Sequence, residues 1–317
     1  MTVTQRELLA RSRPRLKHRF EYAAFRAVLA ASDRMSEERA VRLGERLGAL
    51  GYSLHIRRDV VERNLRIAFP DATEESRRDI ARRSYGHLGR ETVMTLRLAR
   101  MSRDEVIART RTVNEQVARE AVDAGRGLVV VAGHLGNWEI GAAMMAARGY
   151  PVDVIAKRSA NPLFYDHVLS ARERLGVGVI DFKHATRQAL RSLRAGRAVA
   201  FAADQHAGRG GLWVPFFGRL ASTYRGPAIM ALRTGAPMFL SVPVRADDGT
   251  YEITLERIDL ELSGDIDVDM VRLTEAWTRR LEAAIRAYPD QYVWHHRRWR
   301  TPPHVLRTTE PDPGTEV

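Results

Sequence analysis

The chain has 317 residues, enough for one large α/β domain or two modest ones, and its 44% hydrophobic and 28% charged residues are ordinary for a folded globular protein. It has no cysteine, which excludes disulfides, a thiolate nucleophile and cysteine-based zinc sites. Fifty-one Lys and Arg against 39 Asp and Glu give a net charge of +12, a field that attracts nucleic acid, anionic lipid or an acidic protein without choosing among them.

Residues 1–19 form a basic arm carrying Arg6, Arg11, Arg13, Arg15, Lys17 and Arg19 against Glu7. The segment from Phe20 to Ala31 follows, with Phe20, Ala24, Ala27, Val28 and Ala31 on one helical face. A basic arm joined to such a helix can lie in a lipid interface; a solvated arm and a core-packing helix is the plain alternative. No apolar run approaches the roughly 20 residues needed to span a bilayer, and no secretory signal is visible. The expected location is therefore peripheral, on the cytoplasmic face of the membrane.

Residues 36–120 read as helical. Leu43, Leu47, Leu50 and Leu54 recur at helical spacing, Pro70 stops the segment that begins at Asn64, and Ser102 with Glu105 has the form of a capping box. From about 125 the pattern alternates between strands and helices. Strands are expected at Leu128–Ala132, Val152–Ala156, Val177–Ile180 and Ala198–Ala203, with helices at Trp138–Arg148, from Asn161-Pro162 to Arg174, and at Ala185–Arg194. Pro227–Thr234 reads as a helix. Phe239–Arg245 and Tyr251–Ile258 read as a strand pair turning at Asp247-Asp248-Gly249, and Leu273, Trp277, Leu281 and Ile285 mark a long amphipathic helix. The fold class is α/β, a mostly parallel central sheet flanked by helices, with a helical region at 20–120, a catalytic core at 121–305 and an unstructured tail at 306–317.

The sharpest chemical feature is Gly133-His-Leu-Gly-Asn-Trp-Glu139, between a buried strand and a helix. His134 then sits at the carboxyl edge of a parallel sheet, where open α/β folds place their ligands. If the chain folds back, Glu139 can accept from His134 Nδ1 and leave Nε2 free to take a proton from a hydroxyl. The pair has no Ser or Cys nucleophile, so direct attack by the hydroxyl is expected, without a covalent intermediate. Equally open from spacing alone is a helix-capping His134 with Glu139 as a first-turn carboxylate favoured by the dipole. No third ligand is evident nearby, so no metal is expected. A non-catalytic nucleic-acid-binding protein is the alternative of a different class; the spread of the arginines and the lack of a zinc knuckle, helix-turn-helix or aromatic RNA-binding string count against it.

His134 to Glu139 resembles the H-x-x-x-x-D/E signature of glycerolipid acyltransferases. The string HLGNWE resembles that of the lipid A lauroyl/myristoyl acyltransferase family, which also includes phosphatidylinositol mannoside acyltransferases. Further blocks follow in the family's order: Asn64-Leu-Arg-Ile-Ala-Phe-Pro70, Lys157-Arg158 before Asn161-Pro162, Asp204-Gln205, Val214-Pro-Phe-Phe-Gly218, Thr234-Gly-Ala-Pro237 and Tyr292-Val-Trp-His-His-Arg-Arg-Trp299. The likeness spans about residues 20–303. Three features depart from it: His206 stands where many members carry a second Asp, Lys157 where many carry Arg, and the membrane-spanning segment of many members is missing.

The resemblance implies a glycerolipid-acyltransferase-like fold and transfer of a fatty acyl chain from acyl carrier protein or acyl-coenzyme A to a hydroxyl of an anionic membrane glycolipid, such as a lipid A precursor or a phosphatidylinositol mannoside. No cofactor and no nucleic acid take part. His134 and Glu139 are the expected catalytic pair, with backbone N–H groups holding the oxyanion. Lys157, Arg158, Asn161, Asp204 and Arg225 are candidates for substrate binding, each with an ordinary structural role as its alternative; Asp204, which ends another strand at the same edge, could also position His134 or a basic group. Trp138, Val214, Phe216 and Phe217 are candidates for an acyl slot, although aromatics near a glycine, as Phe216 and Phe217 are, more often belong to a plain core. His295-His-Arg-Arg298 reads either as a phosphate clamp or as a structural cluster between Trp294 and Trp299.

Overall fold

A computed structural model describes residues 15–157 and 161–300. Most of the expected basic arm, Arg158 and the expected tail lie outside the described residues.

Among the described residues five helices come first: α1 (Leu16–Asp33), α2 (Glu37–Ser53), α3 (Arg58–Ala68), α4 (Glu74–Leu98) and α5 (Arg103–Ala108). Their starts are written in the sequence. Ser36 accepts from the Arg39 N–H, Thr73 from that of Ser76, and Ser102 with Glu105 closes the expected capping box. Helices α2 and α4 touch backbone to backbone: a Cβ on Gly48 would lie 2.0 Å from the Tyr85 carbonyl oxygen, and one on Gly89 would lie 2.1 Å from that of Gly44. Only glycine permits this approach, so Gly44, Gly48 and Gly89 set how closely these helices pack. In α1 the buried side chains include Leu29 and Ser32, whereas Phe20, placed on the expected apolar face, is 69% exposed.

The sheet begins earlier than expected. Thr110–Val113 forms β1 and pairs parallel with the last strand, so the sheet starts inside the segment read as helical, ahead of the boundary at 120. Four polar or β-branched residues between two helices are too short a run to show strand periodicity. Then follow α6 (Glu115–Asp123), β2 (Leu128–Ala132), α7 (Trp138–Ala147), β3 (Val152–Ala156), α8 (Pro162–Arg174), β4 (Gly178–Asp181), α9 (Ala185–Arg194) and β5 (Ala198–Ala202). After these come β6 (Leu212–Phe216), β7 (Arg219–Thr223), α10 (Gly226–Thr234), β8 (Met238–Arg245), β9 (Tyr251–Arg257) and α11 (Ile266–Ala287).

Seven strands make the main sheet in the order β1-β9-β8-β2-β5-β3-β4, with β8–β9 its one antiparallel pair. The fold is thus α/β with a mostly parallel sheet, flanking helices and a helical N-terminal region. Strand β2 lies inside it and shows why an unbroken apolar run forms a strand: Val129 and Val131 enter the core on one face, Leu128 and Val130 that on the other. On α11, Leu273, Trp277, Leu281 and Ile285 are all buried, as their spacing requires.

Strands β6 and β7 form a separate hairpin. Its two-residue turn is Phe217-Gly218, both at positive φ (51° and 71°). Such turns normally announce themselves as Asn-Gly or Asp-Gly, and Phe in the first position conceals this one. The strained Phe217 is held by packing: its ring meets Phe69, Phe216, Trp294 and Trp299 edge to face.

Candidate active site

Parallel pairing of β2 with β5 aligns Ala132 with Ala202. His134 and Asp204 each lie two residues beyond these ends, so the register sets them side by side at the carboxyl edge. Asp204 grips the histidine twice. Its Oδ1 lies 2.6 Å from His134 Nδ1, and its Oδ2 accepts the His134 backbone N–H at 2.9 Å. Because the carboxylate accepts, the Nδ1 proton belongs to this bond, and in the neutral imidazole Nε2 carries the lone pair.

The loop bearing His134 is fixed at several points. Gly136 donates its N–H to Gln291 at 2.9 Å, Asn137 donates to Pro243 at 2.9 Å, and the His134 carbonyl accepts from Val293 at 2.9 Å. Gly136 has φ +60°, and a Cβ there would fall 1.8 Å from the Pro243 oxygen, so this position of the motif admits glycine alone. Asn137 caps α7 by accepting from the Ile140 N–H at 3.1 Å. Its own amide donates to Glu91 Oε2 at 2.9 Å, an oxygen that also takes the Tyr251 hydroxyl at 2.6 Å.

Electrostatics follow from this packing. Burial alone would lower the His134 pKa, but the Asp204 carboxylate, by charge and hydrogen bond, with Glu139 at longer range, holds it above its ordinary 6.5. Asp204 is 2% exposed, and burial would raise its pKa; the His134 bonds and charge, with help from Arg298, pull it down instead to about 2. The buried Tyr292 hydroxyl is pushed well above its usual pKa by burial and by the same carboxylate, and so stays protonated.

Glu139 does not take the place expected for it. Its carboxylate forms a two-point ion pair with Arg172 of α8, Oε1 to the terminal nitrogen at 2.6 Å and Oε2 to Nε at 3.0 Å. The partner of His134 Nδ1 is Asp204, placed among the substrate-binding candidates from sequence. The reason is geometric: His134 lies in the loop while Glu139 is the second residue of α7, and the neighbouring strand delivers a carboxylate at closer range.

His134, Trp138, Glu139 and Arg172 border a cavity of about 980 Å³. That is the top of the range for small-molecule sites, about 300–1,000 Å³. Leu96 and Leu98 of α4, Met145 of α7, Val154 of β3, Val168 of α8 and Leu175 just beyond it give it an apolar wall. Trp138 also meets the His134 ring edge to face at 4.7 Å.

The other candidates divide. Lys157 and Arg225 are exposed and border this cavity. Asn161 serves a local structural role: it caps α8 through the Leu163 N–H at 3.1 Å and donates to the His18 carbonyl at 3.0 Å and to Glu21 at 3.1 Å. Val214, Phe216 and Phe217 do not border the cavity. They are 0%, 1% and 5% exposed, and the two phenylalanines pack in the core against Trp299. A sequence shows that such residues are buried, not in which layer.

The closing segment is likewise a structural cluster. Arg298 is 2% exposed and donates to the Ser222 carbonyl at 2.5 Å and to Thr223 Oγ1 at 2.6 Å. Asn64 donates to the carbonyls of Trp294 and His296 at 2.8 and 2.7 Å, pinning this segment to α3. Burial, with nearby arginines, pushes His295 and His296 down to about 4; both are neutral near pH 7 and unsuited to gripping phosphate. Sequence reasoning missed Arg172 and Gln205. Arg172 is one of many arginines on basic helices and carries no signal; Gln205 stands next to Asp204 and could have been read as part of the same strand-end pair.

A histidine held by a buried carboxylate at a sheet edge, beside a large apolar cavity, fits an acyltransferase, and the comparisons with known proteins give the same class. The family of bacterial lipid A biosynthesis acyltransferases matches residues 11–301, and the chain belongs to it. It is similar to the lipid A biosynthesis lauroyltransferase of Escherichia coli (strain K12), 30% identical over 268 residues, 83% of this chain and 85% of the relative. It is also similar to the lipid A biosynthesis palmitoleoyltransferase of the same organism, 29% identical over 82% of this chain and 85% of the relative. The phosphatidylinositol mannoside acyltransferase of Mycolicibacterium smegmatis (strain ATCC 700084 / mc(2)155) is 30% identical over 182 residues, 55% of this chain and 57% of that protein. Among the described residues no helix is long and apolar enough to cross a membrane.

Proposed function

We propose that the protein transfers a fatty acyl chain from a thioester, acyl carrier protein or acyl-coenzyme A, to a hydroxyl of a membrane glycolipid, with His134 as general base and Asp204 as its orienting carboxylate. The observation that carries this is the placement of one imidazole, its Nδ1 held by a buried carboxylate, on the wall of a large apolar cavity. The hydroxyl enters beside the thioester, His134 Nε2 takes its proton, and the new ester forms with no acyl-enzyme. Lys157 and Arg225, exposed at the cavity, suit the anionic head group, and the apolar wall suits the chain. Glu139 acts one step further out, fixing Arg172 in the wall and adding negative charge near His134.

The acceptor in this reading is a lipid A precursor; the mycobacterial relatives make a phosphatidylinositol mannoside the alternative. Peripheral attachment is supported by exposed Leu16 and Phe20 beside the basic arm and by a second exposed apolar set on α2 and just beyond it, Leu47, Leu50, Leu54 and Ile56. The region at 20–120 is then the membrane-facing part and the remainder, with β1, the catalytic core.

The test is His134→Ala. We expect a folded protein whose transfer rate falls about 10⁴-fold, the upper end of what a general base supplies. Full transfer by the folded variant would remove the reading. Mass spectrometry of cellular lipids with and without the gene identifies the acceptor.

A further inference from the structure

Three backbone donors of the loop that carries His134 are already in use. The N–H of His134 goes to Asp204, that of Gly136 to Gln291 and that of Asn137 to Pro243. Attack on a thioester carbonyl moves a pair of electrons onto its oxygen, and a charge formed next to an apolar wall needs a donor in place beforehand. These three N–H groups of the loop cannot supply it.

One side chain at the base itself can. Gln205 follows Asp204 off the end of β5, and its Nε2 lies 3.2 Å from His134 Nε2. In the neutral imidazole, the form that acts as a base, the Nδ1 proton is committed to Asp204 and Nε2 accepts, so the carboxamide nitrogen is the end that faces it. This is the one hydrogen bond of the Gln205 side chain among the described residues. Both residues border the cavity. The amide therefore stands where the acceptor hydroxyl must come to be deprotonated, and it keeps a second N–H for another acceptor.

We propose that Gln205 is a catalytic residue: its carboxamide occupies the hydroxyl's position in the resting site and, when the hydroxyl displaces it, donates to the thioester carbonyl oxygen and holds the oxyanion. The inference rests on His134 being the base. In the step, the hydroxyl oxygen bonds to the carbonyl carbon, its proton passes to His134 Nε2, and the carbonyl π pair becomes the oxyanion facing Gln205. Collapse restores the carbonyl, breaks the carbon–sulfur bond and sends that pair to sulfur, which takes the proton from His134 and leaves as the thiol. The two carboxyl-edge neighbours then divide the labour, Asp204 orienting the base and Gln205 stabilising the charge the base helps create.

The experiment compares Gln205→Met, Gln205→Ala and His134→Ala in the full chain. Lauroyl-coenzyme A serves as donor and vesicles of extracted bacterial glycolipid as acceptor, with thermal unfolding measured alongside. We expect both Gln205 variants to fold, to lose about 10²–10³-fold in kcat, the usual cost of one oxyanion donor, and to change KM little. Removing a donor from Nε2 of the resting enzyme also favours the protonated imidazole, so the acid limb of the kcat/KM–pH profile moves to higher pH, a shift that a packing defect would not produce. Wild-type kcat in either folded Gln205 variant, with His134→Ala inactive, overturns this inference and leaves the base in place. An active His134→Ala overturns the underlying reading instead.

Discussion

The loop after β5 and the first turn of α7 each bring a carboxylate toward His134, and the two differ in what they hold. Asp204 is 2% exposed and spends both oxygens on the histidine, one on its backbone and one on its ring. Glu139 spends both of its oxygens on Arg172. A carboxylate near a histidine is thus not by itself an orienting group; what decides is which donor claims its oxygens. A guanidinium offers two parallel donors that match a carboxylate's fork, and Glu139 faces one. Asp204 faces a ring N–H and an amide N–H fixed by strand register.

This contrast is broken most directly at Asp204. Asp204→Asn should cut kcat by about 10²–10⁴-fold, because the imidazole loses the tautomer and orientation that make it a base. The pH dependence carries the sign. A base acts when neutral, and His134 has its pKa raised, so wild-type activity should fall as pH drops through a value above 6.5. Without the Asp204 charge, burial dominates, the imidazole pKa drops, and the acid limb moves to lower pH while the plateau falls. The stability linkage runs the opposite way: the raised His134 pKa stabilises the fold at low pH, and this contribution disappears as pH rises through the folded-state pKa. A kcat–pH profile and chemical denaturation on either side of neutrality would check both. An acid limb unmoved in Asp204→Asn would mean that the carboxylate does not tune the base.

Glu139→Ala should separate from Asp204→Asn by where the loss falls. It strands the largely buried Arg172 guanidinium, and breaking such a pair costs about 3–5 kcal/mol; partial exposure of both side chains (16% and 18%) argues for the lower end. Activity should fall with stability, and the acid limb should move less than in Asp204→Asn, since Glu139 reaches His134 through space only. Glu139→Ala combined with Arg172→Met should recover most of the stability. A stable Glu139→Ala protein with its acid limb shifted as far as that of Asp204→Asn would erase the distinction.

The same contrast shows what a sequence displays. The motif around His134, the strand–helix alternation and the caps are local, and they were legible because neighbouring residues decide them: Ser102 with Glu105, Asn161 with Pro162, the apolar run of β2. Which carboxylate meets His134 depends on β5 inserting beside β2, seventy residues away along the chain, and no local pattern records that pairing. The hairpin at Phe217-Gly218 and the short strand β1 failed for related reasons, one using a turn residue that packing alone tolerates, the other formed by pairing with β9. Burial was legible for Val214, Phe216 and Phe217, whereas their distance from the cavity depended on the hairpin.

A smaller effect tests how the loop itself is held. Asn137 caps α7 through its oxygen and reaches Glu91 through its nitrogen, three residues from His134. Asn137→Ala should cost about 1 kcal/mol for the cap, with more if the buried Glu91 is left short of a donor. Asn137→Asp keeps the capping oxygen but sets a second carboxylate against Glu91, so it should be no more stable than the alanine variant. Thermal unfolding of the two variants decides the point; an aspartate variant as stable as wild type would mean that the contact with Glu91 is dispensable.

The smallest change in stability is expected at the other end of the molecule, where apolar residues face away from the core. Leu50 and Leu54 are 52% and 63% exposed, and Leu47 and Ile56 beside them are 43% and 55% exposed. Since these side chains are already largely in water, Leu50→Glu and Leu54→Glu should change folding stability by no more than about 0.5 kcal/mol. If the patch lies against lipid, the same variants should lose binding to anionic vesicles in flotation assays, and transfer should fall for a vesicle-borne acceptor while turnover of a detergent-dispersed one is preserved. Charge at the active site and apolar surface at α2 would then be separable, the first read in kcat and its pH dependence, the second in lipid affinity alone. Equal loss with both acceptor forms would tie the patch to the fold of the site and not to the membrane.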